Sequence, residues 1–217
     1  MQPSRLRSVE LMAKVLRESE TPVTIVATGP QTNVAALLLA HPELKPNIAR
    51  ISLMGGGIAY GNWTCAAEFN ILVDPEAAKI VFTSGVPITM AGLDVTEKAL
   101  ILPEDFARVR ALGNPVSDIV AQWLEFFYKF HRSIGYAGAP MHDPCAVMAL
   151  IHPEIFTIRP MYVQVETGGE YCRGATVGDL LGFSGHAPNA DVLMDVDRSR
   201  FADLLVEAIG FYGEAKA

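Results

Sequence analysis

Apolar residues recur at helical spacing over residues 5–18, where Leu6, Val9, Leu11, Met12, Val15 and Leu16 share one face. The next run, VTIVATG (23–29), is almost continuously apolar up to a glycine and predicts a buried strand. PQTNVAALLLAHP (30–42) predicts a helix with Pro30 in its first turn and an end before Pro42. ARISLMGGG (49–57) predicts a second strand that runs into a glycine-rich loop. DPEAAKIVFTSG (74–85) predicts a helix with Asp74 as N-cap, Pro75 at N1 and Gly85 past its end. VPITMAGLD (86–94) predicts a third strand.

Strands and helices thus alternate with short connections, the pattern of βαβ units. The expected fold class is α/β, a largely parallel Rossmann-like sheet flanked by helices, each strand apolar on both faces. Ligands of such sheets sit outside the carboxyl ends of the strands. That points to Thr28-Gly29, the loop from Gly55 to Asn70, and Gly92 to Thr96. The second half is more helical, with helices expected at 103–112, 115–134, 141–153 and 198–212. The 115–134 helix is rich in aromatics: Trp123, Phe126, Phe127, Tyr128 and Phe130. MYVQVET (161–167) and DVLMDVD (191–197) read as strands. No repeat or linker interrupts the chain, so residues 1–217 form one domain.

Composition narrows the partners. Of 217 residues, half are apolar and 19% charged, with a net charge of -7. So acidic a surface repels phosphate backbones, which argues against nucleic acid. No apolar run approaches the ~20 residues needed to span a bilayer, so no membrane partner is expected. Three cysteines, none in a CxxC pair, suit a reducing compartment, and the opening does not read as a signal peptide. The expected location is the cytoplasm.

Four segments carry candidate chemistry. In GNWTCAAEFNILVDPEAA (61–78), Asn62, Glu68 and Asn70 stand in an otherwise small and apolar loop. Two amides and a carboxylate can chelate sugar hydroxyls; alternatively Asn62 is a turn residue and Glu68 a solvated one. In MHDPC (141–145), Asp143 can bind a metal and His142 can act as acid or ligand. The plainer reading makes Asp143 the N-cap and Pro144 N1 of the following helix. Thr28 ends a strand where its carbonyl can meet a hard cation. The glycine loop LMGGGIAYGN (53–62) fails the dinucleotide fingerprint, because Tyr60 stands at the motif's sixth position when Gly55 is its first. That counts against a nicotinamide oxidoreductase, and the glycines then serve a close turn over a ligand or neighbouring strand.

Together, VATGPQTN, LMGGG, GN..AAEFNI.VDPEAA.IVF, AGLDVT and the HDP of MHDPC resemble the inosine-uridine preferring nucleoside hydrolase family, most nearly its bacterial pyrimidine-preferring members. The resemblance runs from near residue 9 to near residue 212. It implies hydrolysis of the N-glycosidic bond of ribonucleosides, with Ca²⁺ as cofactor and a dimer or tetramer as the assembly. It assigns Thr28 and Asp143 to the metal and Met54, Asn62, Glu68 and Asn70 to the ribose. His142 falls beside the nucleobase as the catalytic residue. The region of Phe127, Phe130, His131 and Tyr136 is expected to select the base.

One departure matters. The family opens with a strand and an aspartate-rich loop that supplies most calcium ligands and the general base, and this sequence contains no such motif. About three βα units of ~30 residues each are missing from the front. The chain is therefore expected to be the C-terminal portion of a single nucleoside hydrolase domain, incomplete on its N-terminal side. Met1 is then a doubtful natural start. Weak calcium binding and an open apolar sheet edge should follow. The rival expectation is a non-catalytic nucleoside- or ribose-binding module.

Overall fold

The computed structural model describes residues 4–214, and Met1, doubted above as a natural start, lies outside them. In chain order the strands are β1 (Val23–Ala27), β2 (Ile48–Met54), β3 (Ile88–Ala91), β4 (Leu100–Ile101) and β5 (Ala139–Pro140). They continue as β6 (Phe156–Met161), β7 (Val163–Val165), β8 (Thr176–Gly178) and β9 (Ala190–Val196). The helices are α1 (Ser8–Glu18), α2 (Thr32–Ala40), α3 (Phe69–Val73), α4 (Pro75–Phe82) and α5 (Leu93–Thr96). Then come α6 (Pro103–Ala111), α7 (Pro115–Ser133), α8 (Asp143–Ile151) and α9 (Arg198–Glu214).

The main sheet has the order β1-β2-β3-β9-β6. Its first four strands are parallel, and β6 closes one side antiparallel to β9. The largely parallel α/β architecture expected from the alternation is therefore present. One face packs on α1, α2 and α4 through Leu16, Leu37, Ile51 and Val81. The other packs on the second-half helices through Leu93, Ile101, Leu193 and Phe201. Each such fully buried side chain contributes ~1.5–3 kcal/mol.

Several expectations need correction. β1 is not buried on both faces: its burial alternates, because it is an edge strand, and Val26 is 41% exposed. Pro30 lies before α2, whose N-cap is Gln31. Asp143 is the first residue of α8 and not its N-cap; His142 holds that position, without a side-chain cap bond. The third strand stops at Ala91, and the chain then turns into α5. By contrast, Asp74 does cap α4, accepting from Ala77 N at 3.0 Å. The glycine loop meets a neighbouring strand as foreseen. Gly56 has φ +76°, and a Cβ there would lie 2.6 Å from Thr176 Oγ1 on β8.

The second-half helices are tied together by a buried carboxylate. Asp105, 1% exposed, accepts from Leu102 N, Arg198 Nη1 and Arg108 Nη1. Burial alone would raise its pKa; the backbone bond and the two guanidiniums outweigh burial and lower it. A carboxyl depressed on folding stabilises above its unfolded pKa and loses that contribution as pH falls through the folded value, here below about pH 4. Asp105→Asn should cost ~2–4 kcal/mol at pH 7, reduced from a fully buried pair because both arginines are partly exposed. Thermal melts across pH 3–7 should show the variant's deficit shrinking toward acid.

Candidate active site

The carboxyl ends of β1, β2 and β3 lie level, with Ala27 opposite Leu53 and Met54 opposite Ala91. Thr28, Gly55 and Gly92 are thus the first residues beyond one common edge. Met54 is the last residue of β2 and is buried. Asn70, on α3, donates from Nδ2 to the Met54 carbonyl at 3.1 Å and approaches its Sδ at 3.3 Å. This fixes the amide and leaves Oδ1 as an acceptor, an orientation assigned from that network.

Glu68 is the N-cap of α3 and is only 3% exposed. Its Oε1 accepts from Asn70 N, and its Oε2 accepts from Gly56 N and Ile71 N. The solvated-loop reading of Glu68 is therefore wrong. The carboxylate ties the glycine loop to the start of α3. Burial raises its pKa, three backbone N–H bonds pull the other way, and the nearby Asp143 charge adds to the rise. Asn62 accepts from Phe69 N through Oδ1 at 3.1 Å, so it does serve its turn, while the residue itself remains exposed.

His142 and Asp143 reach the same edge from the second half. Since Asp143 does not cap α8, its carboxylate is not consumed by the helix. It opens to solvent, yet desolvation by its surroundings raises its pKa. His142 Nδ1 lies 2.8 Å from Thr96 Oγ1, a fully buried hydroxyl at the end of α5. Burial lowers the imidazole pKa to about 4; the Glu97 charge opposes this and His131 reinforces it. Cys145, one turn into α8, is pushed up to about 12 by burial and is an inert thiol.

A cavity of about 470 Å³ brings the two halves together. Its walls include Asn62, Trp63, Phe69, Phe127, Phe130, Tyr136 and His142, with Glu97 and His131 among them. Asn62 and His142 thus share one space, and Asp143 is close enough to Glu68 to perturb it. Thr28 is placed with them by sheet register. Gln31, just beyond, is fully buried, with Nε2 donating to Gly29 O and Oε1 without a partner among the described residues. Sequence reasoning took in Trp63 and Thr96 only as members of ligand-facing segments, with no role assigned, and it passed over Glu97 and Gln31. Thr96 and Glu97 were within reach, since AGLDVT ends on the ligand-facing edge.

Calcium takes about six to eight oxygens. The described residues contain no group of three or more His, Cys, Asp or Glu side chains that could hold a metal. The Thr28 carbonyl and the Asp143 carboxylate are suitable hard donors, but two residues with at most three oxygens do not complete a calcium site.

A polar rim beside an aromatic hollow, at the carboxyl edge of a largely parallel sheet, marks a protein that handles a small ligand with both polar and flat parts. Comparison with known proteins narrows the class. The sequence model of the inosine-uridine preferring nucleoside hydrolases matches residues 1–203, and the chain belongs to that family. It is 59% identical over 212 residues to the pyrimidine-specific ribonucleoside hydrolase RihA of Escherichia coli O1:K1, covering 97% of this chain and 68% of that protein. The RihA of Citrobacter koseri is 59% identical over the same shares. Among solved structures, a purine-preferring ribonucleoside hydrolase from Gardnerella vaginalis superposes with a TM-score of 0.90 at 32% identity, covering 99% of this chain and 69% of that one. A plant nucleoside hydrolase, PpNRh1, gives 0.87 at 29%, covering 97% and 69%. No described helix is long and apolar enough to cross a membrane.

Proposed function

We propose that this chain grips a ribonucleoside at the carboxyl edge of its sheet and hydrolyses its N-glycosidic bond, with a pyrimidine as the base. The observation that carries this reading is the single cavity that Asn62 and His142 line together, beside the buried Glu68-Asn70-Met54 cluster. Asn62, Glu68 and Asn70 hold the ribose hydroxyls above Met54. Cleavage develops an oxocarbenium-like cation on the sugar. The negative charge of Glu68 and Asp143 stabilises that cation. His142 faces the departing base. The pyrimidine preference rests on the RihA relatives. A cytoplasmic location and a dimeric or tetrameric assembly belong to the same reading.

Calcium belongs to this reading as the ion that Thr28 and Asp143 would help hold. With only those two donors, calorimetric titration should show calcium binding at millimolar dissociation constants or weaker. Asp143→Asn should remove what binding there is.

A second reading, a nucleoside-binding module without turnover, is favoured because the described residues hold no group of three or more His, Cys, Asp or Glu side chains placed for a metal. One experiment separates the two. The protein is incubated with uridine, cytidine and inosine in calcium, and free ribose is assayed. Release that a chelator abolishes supports hydrolysis. Saturable binding without release supports the module. Neither release nor binding defeats both.

A further inference from the structure

The aromatic walls of the cavity offer π-faces, on which any base stacks, and so cannot by themselves read a base's edge. One acidic side chain stands among them: Glu97, directly after α5. Tyr60 donates from its hydroxyl to Glu97 Oε2 at 2.8 Å. Tyr136 lines the same cavity as that carboxylate. Burial first, and that carboxylate second, raise both phenols' pKa values, so both remain hydrogen-bond donors. The Tyr60 phenol therefore holds Glu97 in position. A carboxylate has about four lone-pair sites, so acceptor capacity remains for a ligand. In an aromatic hollow, that capacity strongly favours a donor over an alkyl group.

The preceding residue adds a second constraint. Thr96 fixes His142 at 2.8 Å, so one helix end orients both the group that faces the departing base and the carboxylate beside it. We propose that Glu97 is the specificity-determining residue of this site, accepting a hydrogen bond from an N–H on the base edge, such as the ring imide of uracil. Bases that are alkylated at that position are excluded. The inference rests on the nucleoside reading above.

Calorimetry in calcium with uridine and 3-methyluridine tests it on the wild type and on Glu97→Ala. The wild type should prefer uridine by about tenfold to a hundredfold, the span of one charge-assisted hydrogen bond. Glu97→Ala should bind the two ligands within about threefold, by weakening uridine alone. Glu97→Gln, which keeps the shape and loses the charge, should narrow the preference at least about threefold, and it decides the matter where the alanine variant does not fold. Equal weakening of both ligands in Glu97→Ala would show a merely structural role and overturn the proposal. So would a wild type that does not discriminate. A wild type that binds neither nucleoside overturns the parent reading, and this one with it.

Discussion

Replacing His142 with alanine should lower kcat for uridine hydrolysis by about 10²–10³ and leave KM nearly unchanged, the loss expected when one preorganised donor to a developing anion is removed. With a pKa of about 4, only about one imidazole in a thousand is protonated at pH 7. His142 is then a poor proton donor but a competent hydrogen-bond donor. The Thr96 contact supports that role: if the Thr96 hydroxyl donates to Nδ1, the ring's proton sits on Nε2, the nitrogen turned away from Thr96. Two outcomes follow. The rate should show no inflection between pH 5 and 9 that disappears in His142→Ala, because the ring is neutral throughout. A riboside whose leaving group is a stable anion, such as p-nitrophenolate, should be cleaved almost as well by the variant as by the wild type. Equal losses on both substrates would place His142 at the sugar or in the scaffold instead.

Much of this arrangement could be read from the residues alone, and the failures share a physical cause. Long periodic segments gave themselves away: α1, α4 and α7 have enough turns for their apolar spacing to show, and Asp74-Pro75 marks a helix start unmistakably. The two helices that build the site do not. α3 has five residues and α5 four, too few for a helical period to appear. Glu68 therefore looked like a loop residue, when it is the cap on which that loop is organised. Thr96 and Glu97 fell just beyond the strand expected over 86–94, with no helix foreseen to hold them. The cap of α8 was misplaced by one residue, which matters chemically, since it decides whether the Asp143 carboxylate is spent on a helix or free for a ligand. Burial of β1 was overestimated because an apolar run reports propensity and not position. Only the strand order shows that it lies at an edge, with Val26 open.

The larger structural effect is expected at Glu68. Glu68→Ala should lower stability by ~3–5 kcal/mol and abolish detectable nucleoside binding. Three backbone N–H groups, of Gly56, Asn70 and Ile71, would lose their acceptor in a buried place, at ~1–3 kcal/mol each before relaxation. Part of that cost is the lost N-cap of α3, typically ~1 kcal/mol. For a chain of this length, the melting temperature should fall by on the order of 10 °C. Glu68→Gln should lie between the two, because its amide can keep one acceptor while its NH₂ confronts donors it cannot satisfy. The coupling to binding is geometric. Gly56 and α3 meet at this carboxylate, and Asn70 holds the Met54 carbonyl from the same short helix, so losing the cap loosens the glycine loop and the Asn70 amide together. Thermal melts and uridine calorimetry on the same samples check this: a variant that melts within a degree of wild type yet loses binding would make Glu68 a ligand contact only, and one that loses stability yet binds normally would make it scaffold only.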